Sequence, residues 1–166
     1  NDIQVSIRHF ERRIEQLDRQ ATALVEASSE VEAVYRLLRT ISGIGHVTAL
    51  QLMAELLMLP ADMTARQLVA HAGLDPRQYE SGTSVQRAPR ISKAGNRHIR
   101  AALFLPAFAA IRHDASVRAF YQRLTGRGKK PLQATIAVMR KLLHAIHGVL
   151  RTGSPFDSTR FTPLAA

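Results

Sequence analysis

Apolar residues recur at alternating steps of four and three through the first forty positions. Ile3, Phe10, Leu17, Leu24, Val31 and Leu38 take one place in a seven-residue repeat, and Ile7, Ile14, Ala21, Ser28 and Tyr35 take the other. This is the spacing of a coiled-coil helix. Ala27-Ser28-Ser29 interrupts the stripe, and Ser29-x-x-Glu32 has the form of a capping box. The pattern therefore predicts a long helix to about residue 27, a break, and a shorter helix ending at Arg39. Such a stripe is covered either by folding back on its own chain or by a second copy, and the repeat is compatible with both.

Beyond Arg39, Gly43-Ile44-Gly45 reads as a sharp turn between two helices with Ile44 plugging their shared core. It has helix-hairpin-helix form, in which free backbone N–H groups at Gly45, His46 and Val47 can hold a phosphate. The next helix, from about His46 to Met58, is apolar nearly all round and is expected at the buried centre. Pro60 ends it. Thr64-Ala65-Arg66-Gln67 opens a short helix that Gly73 terminates, with Leu74 making the hydrophobic contact after the cap. From Asp75 to Ile91 the signals are turn and extended, which allows one small β-hairpin. Ser92 is a fair N-cap for a helix to His113 kinked near Pro106. A further helix ends at Gly126-Arg127-Gly128, and Pro131 begins the last. After Gly153 the composition turns to Ser, Thr and Pro. The expectation is an all-helical chain in three parts: a coil or helical linker over 1–38, a helix-hairpin-helix domain over 39–153 and a mobile tail over 154–166.

Composition narrows the chemistry. The 166 residues contain no Cys, so disulfides and thiolate metal sites are excluded. Every long apolar run is broken before it could span a membrane, and no signal peptide is visible; a cytoplasmic protein is expected. The net charge of +10 is concentrated: residues 1–74 sum to −2, residues 75–100 to +4 and residues 112–151 to +8. Localised positive charge favours a polyanionic partner, nucleic acid first.

The densest chemistry lies in Gly73-Leu74-Asp75-Pro76-Arg77-Gln78-Tyr79-Glu80-Ser81-Gly82, followed by Arg87, Arg90 and Ile91-Ser92-Lys93-Ala94-Gly95-Asn96-Arg97-His98-Ile99-Arg100. Ser81 is the candidate nucleophile. A serine hydroxyl needs a base, a metal or cations that stabilise charge on the attacked group, and Arg87, Arg90, Lys93, Arg97 and Arg100 can supply cations that match phosphate oxygens. Arg127, Lys129 and Lys130 add a second basic cluster for a nucleic-acid backbone. Taken alone, the Ser-Gly pair is also an ordinary turn dipeptide.

This stretch resembles the carboxy-terminal domain of the IS110 insertion-sequence transposases, serine recombinases guided by a bridge RNA. The similarity runs over roughly residues 35–157 and includes the late Arg140-Lys141-Leu142-Leu143 and Gly153-x-Pro155-Phe156-Asp157. The resemblance implies that Ser81 is the nucleophile that joins covalently to DNA, that DNA and a guide RNA are partners, and that the protein works in a bacterial or archaeal cell, near the nucleoid; the repeat over residues 3–38 adds the expectation of a homo-oligomer. It also places Mg²⁺ in a RuvC-like domain preceding the coil. No cofactor and no metal site is expected in this stretch, which opens on Asn1 without Met and whose carboxylates do not cluster; a fragment inactive by itself is the expectation. The alternative from the residues is a non-catalytic helix-hairpin-helix module that binds DNA or RNA and dimerises.

Overall fold

The computed structural model describes residues 2–81 and 85–161, with residues 77–81 and 85–89 described by their backbone alone. Eight α-helices and one two-stranded hairpin are formed among the described residues. The fold class is all-helical, as the sequence suggests.

Helix α1 runs Asp2–Glu26 and α2 runs Ser29–Arg39. The break falls where the stripe weakens, but Ser28 is the cap: its side chain accepts from the Val31 N–H at 3.4 Å. Glu32, expected to complete a box with Ser29, pairs with Arg36 one turn on at 2.5 Å. Helix α1 packs on α2. The apolar positions of its outer part stay bare, with Ile14 66% exposed and Phe10 63% exposed.

Helix α3 (His46–Leu56) buries Ala49, Leu52 and Met53. It is not the centre of the fold: Leu50 and Leu56 are only partly buried against the core, and Val47, with Leu57 and Met58 just after the helix, is exposed. The centre is α8 (Pro131–Thr152), which buries Ala134, Thr135, Val138, Met139, Leu142, Leu143, Ile146 and Val149. Against it pack α2, α4 (Ala65–His71), α6 (Phe104–His113) and α7 (Ala115–Gly126). Its stripe follows the three-four alternation, and Pro131 sits at its first turn.

The helix expected from Gly95 to His113 is two helices, α5 (Arg97–Ala102) and α6, joined at Leu103. Pro106 lacks the N–H that would bond the Ala102 carbonyl, and its ring crowds that turn, so the ladder breaks upstream of the proline. Asp114 caps α7 by accepting from the Ser116 and Val117 N–H groups and also accepts the Ser42 hydroxyl at 2.7 Å, which ties the α2–α3 turn to α7.

Residues 154–161 depart from the expected tail. They turn back over α7 and α8 and end in a 3₁₀ turn, Ser158–Phe161, whose Phe161 is buried in the core beside Phe120. Lys141 donates to the Phe161 carbonyl and lies over both rings. Burial there, with Arg123 nearby, lowers the Lys141 pKa. The tail's final residues, 162–166, lie outside the described residues.

Candidate nucleic-acid interface

The end of α4 begins the site. Gly73, at φ +64°, closes the helix as the sequence suggests: the Leu74 N–H returns to the Val69 carbonyl at 3.1 Å, and Leu74 is fully buried. A hairpin then leaves the core as β1 (Pro76–Ser81) and returns as β2 (Val85–Ile91), antiparallel, with Pro76 opposite Ile91 and Ser81 opposite Val85. Its base is latched by Ser92, which donates to the Asp75 carboxylate at 2.5 Å and bonds the Asp75 carbonyl through its N–H. Ser92 is therefore a hairpin latch and not the helix cap.

Asn96 caps α5 instead. Its Oδ1 accepts from the His98 and Ile99 N–H groups, its Nδ2 donates to Glu55 of α3 at 2.5 Å, and its backbone N–H bonds the His71 carbonyl at 2.6 Å. The approach to α4 is close enough that a Cβ on Gly95 would lie 2.1 Å from the His71 oxygen. Lys93, just before, takes the left-handed φ of 53°. Arg100 donates to the Ala72 carbonyl at 2.8 Å, so part of its guanidinium holds the end of α4.

These anchors present Arg90, Lys93, Arg97 and Arg100 along one wall of a groove of about 990 Å³. Lys129, in the turn before α8, and Arg140, in the middle of that helix, line the same groove, and Ile91, Phe104, Leu132 and Ile136 supply apolar surface. Among the described residues, no Asp or Glu lines it. In the sequence Arg140 stands out only as part of the family resemblance and not as a binding residue, because it sits in a largely apolar helix. Its Nε is buried with no hydrogen-bond partner among the described residues. His144, which lines a different pocket with Lys141, has its pKa lowered by burial first, then by Arg140, His147, Lys141 and Arg66.

Other expected residues are elsewhere. Arg127 and Lys130 are exposed but do not line the groove. Gly43 is part of the packing, since its φ of 90° backs onto the Pro106 carbonyl. Gly45, exposed, is the N-cap residue of α3 and offers no side-chain cap. The His46 ring is engaged within the chain: Nδ1 is 2.7 Å from the Tyr35 hydroxyl and Nε2 is 3.0 Å from Asp18, which joins α1, α2 and α3. The side chains of Ser81 and Arg87 lie outside the described residues. Their backbones are on the hairpin, Ser81 at the outer end of β1. Five strand residues beyond Pro76, at ~3.3 Å each, set the Ser81 backbone about 17 Å from the hairpin base.

Among the described residues no group of three or more His, Asp or Glu could hold a metal ion, and no helix is long and apolar enough to cross a membrane. The family model for the transposase IS116/IS110/IS902 family matches residues 35–122, from α2 into α7. The chain belongs to that transposase family. Among relatives, it is 35% identical over 153 residues to the pilin gene-inverting protein of Moraxella bovis, covering 92% of this chain and 48% of that protein. It is 34% identical over 152 residues to the insertion element IS110 uncharacterized 43.6 kDa protein of Streptomyces coelicolor, covering 90% of this chain and 35% of that protein. The chain thus spans about half the length, or less, of these relatives. The transposase family match contains the hairpin and the α5 wall of the groove, while Lys129 and Arg140 lie past its end.

Proposed function

We propose that this transposase chain grips nucleic acid in the groove between α5 and α8 and supplies Ser81 as the nucleophile for cutting and rejoining DNA. The observation that carries the binding half is that, among the described residues, six cationic side chains and no carboxylate line one groove. Arg and Lys so placed meet phosphates without a competing anion. The catalytic half rests on the family resemblance of the Ser-Gly pair. In that step the Ser81 hydroxyl loses its proton as the Oγ–P bond forms, the P–O3′ bond breaks, and the 3′ oxygen takes up a proton. One phosphodiester replaces another, so rejoining needs no nucleotide cofactor. By the same resemblance a guide RNA is the second nucleic-acid partner, and Mg²⁺ belongs to a RuvC-like domain and not to these residues; the apolar repeat of α1 is the surface through which copies associate.

The separation of Ser81 from the hairpin base bears on mechanism. A strand lying in the groove reaches Ser81 only by running out along the hairpin, so Lys93, Arg97 and Arg100 hold and orient DNA while Arg87, opposite Tyr79 on the neighbouring strand, is the nearer source of charge for the attacked phosphate. The test is Ser81→Ala in the full-length protein with its RNA. Covalent protein–DNA adducts and strand exchange should vanish while binding changes less than about twofold. Adducts at the normal level would make this a binding module with an inert Ser81.

A further inference from the structure

Helix α6 is built inside out. Toward the core it places Ala107 and Ala110, both fully buried, and Pro106; outward it places Phe104, Leu105 and Phe108. A helix held by burial ordinarily shows the reverse, large residues in and small residues out. The small inner face has a reason, because the α2–α3 turn presses against it at Gly43. The large outer face has none within the fold: Phe104 is 39% exposed and Phe108 is 47% exposed. Their rings meet edge to face, 5.1 Å between centroids and 80° between planes, which leaves at least one π face of each ring outside their mutual contact. Phe104 lines the basic groove, one helical turn past Arg100, and Phe108 carries the aromatic surface a further turn along α6. Leu132, also exposed, adds apolar surface on the α8 side.

A groove with cationic walls and exposed phenyl rings at its edge suits a ligand that is anionic along its backbone and flat and apolar at its side groups. Duplex DNA offers the first property only, since its bases are stacked inside. An unpaired strand offers both, and stacking on aromatic side chains tolerates any base because every base has a π face. We propose that the groove and the Phe104/Phe108 pair together hold an unpaired nucleotide strand, its phosphates on Lys93, Arg97 and Lys129 and its bases on the two rings. This rests on the groove being the nucleic-acid site and goes beyond it in naming the state of the strand.

Fluorescence anisotropy with three probes tests it: a twelve-nucleotide oligothymidylate, the abasic strand with the same phosphates, and a duplex of the same length. Stacking predicts that oligothymidylate binds at least about tenfold tighter than the abasic strand. In the double variant Phe104→Leu, Phe108→Leu, which keeps apolar bulk, its affinity should fall to the abasic level with the salt slope and thermal midpoint unchanged. Equal affinity for the base-bearing and abasic strands overturns the proposal, as does an unaltered double variant or a loss shared equally by all three probes. Arg97→Gln with Lys129→Gln is the separate arm for the groove, expected to weaken every probe. If that pair changes no probe, the nucleic-acid assignment of the groove falls, whatever the rings do.

Discussion

Gly43 and Gly45 share a turn, but only Gly43 is held to glycine by its surroundings. Gly43 has φ +90°, and a Cβ there would lie 2.3 Å from the Pro106 oxygen and 3.0 Å from the Ala110 nitrogen, both backbone atoms that cannot swing aside. Gly45 has an extended conformation, φ −84° and ψ 179°, and nothing within 4 Å of its missing Cβ. Gly43→Ala should therefore cost at least about 2 kcal/mol, and Gly45→Ala about 1 kcal/mol or less, the weaker capping of alanine. Urea unfolding of the two variants checks the contrast, and equal losses would contradict it. The sequence reveals that a tight turn exists there. It does not reveal that α6, more than sixty residues on, lies behind one glycine and not the other. The same limit explains Ser92 and Asn96. Both are good caps, and the decision comes from Glu55 and the His71 carbonyl, which reach Asn96 from other elements. At His46 the sequence offers a backbone N–H at a helix start, while the engagement of its ring by Tyr35 and Asp18 depends on how α1 and α2 pack and is not written locally.

At the scale of elements, the repeat in α1 was legible because it is periodic and local, and the structure leaves its outer positions uncovered. Ile14 is 66% exposed and Leu17 is 49% exposed on a helix 25 residues long. A second α1 packed on that stripe would bury it. Ile14→Lys with Leu17→Lys should lower the mass seen by sedimentation equilibrium from oligomer to monomer, with helicity elsewhere kept. A parent chain that is already monomeric across a wide concentration range would leave the stripe to a different partner. The carboxy-terminal segment misled for the opposite reason. Ser, Thr and Pro describe its composition, but Phe156 and Phe161 decide its place, because two phenyl rings outweigh several polar residues in area removed from water. Deleting residues 154–166 should cost about 2–4 kcal/mol and lower the thermal midpoint by several degrees. An unchanged midpoint would mean that the segment detaches in solution.

For the molecule as a whole, charge was legible in amount and in chain position but not in arrangement. Part of the surplus in 75–100 and in 112–151 meets in one groove because α8 and the turn before it bring Arg140 and Lys129 to the surface that Arg90, Lys93, Arg97 and Arg100 line. Arg127 and Lys130, counted with Lys129 by sequence, are turned out of the groove by the Gly126–Gly128 turn and the start of α8. That separation gives a measurement. Each cation that neutralises a phosphate on duplex DNA releases counterions and adds about −0.9 to the slope of log affinity against log salt. Arg97→Gln and Lys129→Gln should each make the slope shallower by about 1, with little change in base preference, since phosphate contacts carry register and not sequence. Arg127→Gln, outside the groove, should move the slope by less than half as much. If Arg127→Gln instead matches the other two, the anion is bound by the diffuse field of a +10 protein, and the groove has no special claim on it.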